Sequence, residues 1–197
     1  MGTHTDFVGA VRIRPCIKEP LAAKLEDFFC IRHMKRDRNA LYDQFPNEAL
    51  RKRLSLFSDG DFGVDGVWFM PCETKDLNRS MMQGKLAEGL IDRMSTNVPP
   101  EPCPSLYCDL TVVHDAAANC SYLGWNGNEK PYRIADWIRL LAEWLVPRGY
   151  TLDGRLFAQV EYGLCFYYIT VRDTDVTIEN FEPEVMYQAE FESLMYE

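Results

Sequence analysis

An α+β fold, a mostly antiparallel sheet with helices packed on one face and one central buried helix, is what this 197-residue sequence predicts. Stretches of period-two alternation that follow one another across short turns indicate the sheet, and one broad helical stripe between them indicates the central helix. A third feature concerns association rather than fold. The formal net charge is −9, and all but one unit of it comes from Asp173 to Glu197, which hold eight carboxylates and no Lys or Arg.

Taken in order, Phe7 to Ile13 reads as a strand closed by Pro15. Leu21, Leu25, Phe28, Phe29 and Arg32 then share one helix face, with Glu19 and Pro20 at its start. That helix is expected to carry Arg32, His33, Lys35 and Arg36 at its C-terminal end, where the dipole favours cations. Asn47 to Phe57 fits a shorter helix through Leu50, Leu54 and Phe57, with Arg51, Lys52 and Arg53 on its other side. Ser58 to Gly66 is turn-rich, Val67 to Met70 is a short apolar run, and Leu77 to Met94 fits a weak helix in which Gly84 and Gly89 each cost about 1 kcal/mol relative to Ala. The proline-rich stretch from Asn97 to Pro104 continues neither a helix nor a central strand and reads as an extended connector.

Leu106 to Val113 alternates as a strand with one buried face, Asp115 to Asn119 turns, and Ser121 to Trp125 returns. From Tyr132 to Val146 the helical pattern is at its strongest: Ile134, Trp137, Ile138, Leu141 and Leu145 form a stripe that Leu140 and Trp144 broaden, implying burial on more than one side. Pro147-Arg148-Gly149 ends it. Three strands follow in meander order, Gly154 to Glu161, Cys165 to Val171 and Asp175 to Glu179. Residues 1–180 are accordingly expected to form a single α+β domain, with a subdivision near 97–104 as the alternative. Residues 181–197 read as an acidic amphipathic helix whose apolar stripe is Tyr187, Phe191, Leu194 and Met195.

Hydrophobic residues at 47% suffice for a sizeable core, and no stretch approaches the roughly 20 apolar residues of a membrane span. With no charged leader followed by an apolar run, a cytoplasmic location is expected. Seven cysteines without paired spacing suit a reducing compartment better than a disulfide framework.

Candidate chemistry is thin. Cys103, Cys108, His114 and Cys120 carry the donor types zinc prefers, but Cys108 and His114 lie six residues apart on one predicted strand, about 20 Å at roughly 3.3 Å per residue, so no metal is expected. His33 or His114 could serve as base to Cys108 or Cys30, without any local nucleophile motif. Asp153 and Glu161 flank a predicted strand and form the best carboxylate pair for acid–base work. Gly60, Gly63 and Gly66 recur among Asp59, Asp61 and Asp65, which would repel phosphate, and read as a solvated turn; no cofactor motif is present. Arg32, Lys35, Arg36, Arg38, Arg51, Lys52 and Arg53 form a basic patch, with Tyr42 and Phe45 interleaved. Contact with the acidic C-terminal segment suits it better than nucleic acid, because the overall field of the chain opposes phosphate.

Asn97-Val98-Pro99-Pro100 with Pro104-Ser105-Leu106-Tyr107-Cys108, then Trp125-Asn126-Gly127-Asn128-Glu129-Lys130-Pro131-Tyr132, then Ala135-Asp136-Trp137, form a combination. It resembles a family of small proteins of uncharacterised activity from bacteria and their phages, which pairs an N-x-P-P…P-x-L-[WY]-C strand with W-x-G-x-E-K-x-Y before a Trp-containing helix. Leu152-Asp153-Gly154 and Ala158-Gln159-Val160-Glu161 follow the closing strands of that pattern, departing from it at Asp153 and Val160. The residues themselves read as a strand-to-helix junction, with Asn128 as cap, Glu129 at the positive end of the helix and Pro131 in its first turn.

The favoured expectation is a non-enzymatic accessory protein of a phage or mobile element. It would bind and inhibit a host protein, such as a nucleic-acid-handling or defence complex, through an acidic surface. The interaction residues would be Glu179, Glu182, Glu184, Tyr187, Glu190, Phe191, Glu192, Leu194 and Met195. One alternative is a small enzyme or nucleotide-binding domain with a ligand site at Trp125, Glu129, Lys130, Tyr132, Asp153 and Glu161. A second is an oligomeric structural component. Host protein and homo-oligomer are thus the expected partners, ahead of nucleic acid, with no membrane partner.

Overall fold

The computed structural model describes residues 4–56, 58–70, 97–128, 131–160 and 165–181. In chain order its elements are β1 (Thr5–Arg14), α1 (Leu21–Cys30), α2 (Arg38–Gln44), α3 (Glu48–Leu54), β2 (Leu110–Asp115), β3 (Cys120–Trp125), α4 (Ile134–Leu145), β4 (Thr151–Val160), β5 (Phe166–Arg172) and β6 (Asp175–Phe181). The six strands form one sheet in the order β2-β3-β1-β4-β5-β6, and every pairing is antiparallel. The fold is α+β. Two compact units make it up, the first from the described residues of 1–22 and 109–197, the second from those of 23–108, with α1 crossing the division. The helix expected over Leu77 to Met94 lies outside the described residues, as does the C-terminal one apart from Phe181, which ends β6.

In the first unit, alternation sorts the sheet into two faces. Val11 and Ile13 of β1, Leu123 of β3, Leu152, Leu156 and Ala158 of β4, and Ile169 and Val171 of β5 are all buried and share one face through the register. α4 lies on this face, burying Trp137, Ile138, Leu141, Ala142 and Leu145, and its Arg139 donates to the Val176 carbonyl at 3.0 Å. It is one of four α-helices among the described residues. At roughly 1.5–3 kcal/mol for each fully buried large apolar side chain, this layer is the main source of stability in the unit.

Where β1 and β4 run side by side, two glycines let the backbones close up. A Cβ on Gly154 would stand 2.4 Å from the Ala10 oxygen, and one on Gly9, whose φ is +97°, would stand 2.5 Å from the Arg155 oxygen. On the opposite face of the sheet Arg12 donates to Asp153 at 3.3 Å, and Arg155 donates to Thr170 Oγ1 at 3.2 Å with its guanidinium 4.8 Å above the Tyr168 ring.

The second unit is built on short helices fixed by their caps. Asp37 accepts from the Ala40 amide to start α2, and Asn47 accepts from the Leu50 amide to start α3, each at 3.0 Å. Between them Leu41, Leu54, Phe62 and Phe69 make the core, with Tyr42, Phe45 and Leu50 packed against it.

Three expectations shift here. α1 ends at Cys30, because the His33 amide bonds the Leu106 carbonyl at 2.7 Å and Ile31, His33, Met34 and Arg36 are drawn inside, so Arg32 to Arg36 do not sit on a helix end. The strand expected from Leu106 begins only at Leu110, since Leu106 is engaged with His33. And α4 begins at Ile134 behind Arg133 in a left-handed conformation, with no side-chain cap. Asn128 does not cap it, because its amide is committed to Asp109 at 3.1 Å.

Candidate functional site

The junction between β3 and α4 is where the first unit has both a cavity and ionic groups. Asn126 bonds through its amide to the Asp109 carbonyl, and Asn128 Nδ2 donates to the Asp109 carboxylate, so the turn after Trp125 is clipped to the start of β2. Burial raises the carboxyl pKa of Asp109 above its ordinary value, an effect that the Asn128 bond opposes. Beyond the turn, a cavity of about 380 Å³ opens between the start of α4 and the buried face of the sheet. Phe7, Tyr167, Ile169 and Ile178 supply its apolar wall from three strands, while Pro131, Arg133, Ile134, Ala135, Asp136 and Asn180 supply the rest.

Polar groups gather at one end. Asp136 accepts from Arg133 Nε at 2.7 Å and from Arg139 at 2.6 Å, which leaves two guanidiniums around one carboxylate. The first-turn amides of α4 receive no side-chain cap and add the positive end of the helix dipole on the same side. Phe7 packs edge-on against Tyr167 with 6.1 Å between centroids, and Trp125 lies 6.1 Å from the other side of Phe7. The Trp125 indole N–H is buried without a hydrogen bond. Burial raises the Tyr167 phenol pKa above its ordinary value, so this wall stays neutral.

No protein-family model matches this chain, and no curated protein or solved structure does. Function must therefore be argued from the residues alone.

Of the residues singled out in the sequence, Trp125 and Tyr132 come to this junction, Tyr132 being exposed and next to the cavity-lining Pro131 and Arg133. Asp153 points from the opposite face of the sheet, toward Arg12, so it is not brought together with them. Glu129, Lys130 and Glu161 lie outside the described residues, as do Glu182, Glu184, Tyr187, Glu190, Phe191, Glu192, Leu194 and Met195 of the interaction set. Glu179 is exposed on β6 opposite Tyr168. Sequence reasoning passed over Phe7, Arg133, Asp136, Tyr167 and Asn180. The spacing Arg133–Asp136–Arg139, an acid flanked by bases three residues away on each side at a helix start, was the available signal.

The basic patch of the second unit is largely engaged at home. Arg38 pairs with Asp61 at 2.9 Å, Lys35 with Asp65 at 3.4 Å, and Lys52 with Glu48 at 3.0 Å and Asp59 at 3.9 Å. Arg51 donates to the Phe45 and Pro46 carbonyls beneath the Tyr42 ring, and Arg32 reaches the Tyr107 hydroxyl and the Asn97 side chain. Arg36 is buried. The glycine-rich acidic turn is thus the counter-charge of Lys35, Arg38 and Lys52, a pairing that reading the two segments separately did not reveal.

The second unit also holds a Cys–His pair other than those weighed from sequence, with Cys103 Sγ 3.7 Å from His33 Nδ1. Burial pushes the thiol up to about 12 and the imidazole down to about 3, the Arg36 charge helping to lower the latter. This order of proton affinities is opposite to what a thiolate–imidazolium pair needs, so both groups stay neutral. Arg36, pushed by burial down to about 10, keeps its charge at neutral pH and faces the Phe69 ring at 5.4 Å. Among the described residues no three His, Cys, Asp or Glu side chains converge as metal ligands, and no helix is long and apolar enough to cross a membrane.

Proposed function

We propose that this chain is a binding domain whose ligand is a small amphipathic anion, seated in the cavity between the start of α4 and the sheet. One observation carries the reading: an apolar wall of Phe7, Tyr167, Ile169 and Ile178 faces an end where two arginines share one carboxylate and a helix start is uncapped. Its volume falls within the usual range for small-ligand sites, about 300–1,000 Å³. A carboxylate or sulfonate would meet the Arg133 side and the first-turn amides, while its hydrocarbon part replaces water on the apolar wall. Asp136 is held between two guanidiniums and Tyr167 keeps its proton, which favours binding over turnover.

The test uses 8-anilino-1-naphthalenesulfonate as a fluorescent anionic probe and octanoate as competitor. Saturable binding that octanoate displaces is expected, weakened about tenfold by Arg133→Gln and abolished by Ala135→Leu, which fills the cavity. Equal binding by the wild type and Ala135→Leu would refute the site. Capture of a host protein through the acidic C-terminal segment is a separate proposal, supported by the charge asymmetry of the sequence and by the family resemblance.

A further inference from the structure

At the other end of the same sheet, a side chain past the end of β1 and two from the β2–β3 hairpin lie in a continuous chain of hydrogen-bonding contacts. Ser121 of β3 is fully buried, and the β2–β3 register sets it directly opposite His114, whose Nδ1 lies 3.0 Å from Ser121 Oγ. The β1–β3 register places Ile13 beside Ser121, so that Cys16, just past the end of β1, brings its Sγ to 3.5 Å from that oxygen. Ser121 Oγ also accepts the Ile17 amide at 2.9 Å. With the Ile17 amide as one donor, Ser121 Oγ can also accept the Cys16 thiol proton, for which the Ile17 carbonyl at 3.8 Å competes, and can give its own proton to His114 Nδ1 in the tautomer that leaves this nitrogen unprotonated, a chain from S–H to O–H to nitrogen. Cys16 is partly exposed, His114 is exposed, and the backbone amide of Cys16 is held at 3.3 Å by Asn119. Asn119 and Pro15 line an adjoining cleft of about 530 Å³ together with Arg14, Ala118, Gly149 and Thr151.

We propose that Cys16 is a reactive thiol, deprotonated through Ser121 by His114, and that it captures soft carbon electrophiles such as α,β-unsaturated carbonyl compounds entering from this cleft. As the thiol proton passes to Ser121 Oγ, the Ser121 proton passes to His114 Nδ1, leaving a thiolate, an intact hydroxyl and an imidazolium. The thiolate then attacks the β-carbon of the electrophile. A C–S bond forms, the π pair of the alkene moves to the α-carbon, and the proton held by His114 returns through Ser121 or solvent to that carbon. Ser121 and His114 act through Cys16 and are positioning residues; Cys16 alone forms the bond. Two cysteines serve as contrasts: Cys103 is buried with its thiol pKa pushed up, and Cys30 is exposed.

The test is alkylation of the full chain by iodoacetamide at pH 7.5, followed peptide by peptide by mass spectrometry, with exposed Cys30 as internal reference. Cys16 should react at least tenfold faster than Cys30 although it is less exposed, and His114→Gln should remove that advantage while leaving Cys30 unchanged. Ser121→Ala should do the same, with buried Cys120 staying unreactive as proof that the sheet is intact. Because Ser121→Ala also deprives the Ile17 amide of its acceptor, His114→Gln at an exposed position is the deciding variant. Cys16 reacting no faster than Cys30, or at an unchanged rate in His114→Gln, would overturn the proposal.

Discussion

His33 shows how a single buried side chain ties stability to pH. Its imidazole is pushed down to about 3, first by burial and then by the Arg36 charge, whereas an unfolded histidine titrates near 6.5. A folded pKa below the unfolded one means that the unfolded state takes the proton first. Stability is therefore complete above about pH 6.5 and is lost progressively as pH falls toward the folded value. Urea titrations should show about 2 kcal/mol less stability at pH 5 than at pH 7.5, and His33→Gln should flatten that difference. An equal loss in His33→Gln would assign the acid sensitivity to other groups.

Among the elements, α4 carries the clearest energetic expectation. Leu141 is 2% exposed on the face that meets the sheet, and Leu141→Ala should destabilise by about 2–5 kcal/mol in a denaturant titration. Less than about 0.5 kcal/mol would mean that the helix face is assigned wrongly. This helix and the strands were legible in the sequence because their periods of 3.6 and 2 are local properties. α2 was not: it is seven residues long with Leu41 as its one buried residue, too short for a period to register, and only the Asp37 to Ala40 cap announces it. The end of α1 was missed because a contact 73 residues away, between His33 and Leu106, overrides the local pattern. The cavity and the Cys16–Ser121–His114 chain were hidden for a related reason: strand register assembles them, and register is set by pairings between distant segments. Trp125 and Tyr132 drew attention as a local motif, yet the wall they adjoin comes from Phe7, Tyr167 and Ile178, which no local pattern connects to them.

For the whole molecule, Lys35, Arg38 and Lys52 of the basic stretch pair within their own unit with Asp65, Asp61 and Asp59, while the eight carboxylates after Arg172 carry nearly all of the net charge of the chain. If they serve a partner, deleting residues after Pro183 should leave the sheet folded, with unchanged urea-unfolding midpoint, while abolishing salt-sensitive self-association or partner capture. Salt sensitivity is expected because exposed charges more than about 10 Å apart are largely screened at 0.1 M. Assembly of the truncated chain identical to that of the full one at low salt would reduce the segment to a solubilising role. The position of β1 in the sheet has a consequence for how the molecule is made. It lies between β3 and β4, with Val11 paired to Leu123 and Thr5 to Val160, so it leaves a ribosome well before either of the strands that flank it. At roughly 5–20 residues per second, the 155 positions between Thr5 and Val160 take about 8–30 s to synthesise. Until β3 follows, the strand that ends flanked on both edges has neither edge covered, and it depends on its own charged residues, Asp6, Arg12 and Arg14, to keep nascent chains from pairing with one another.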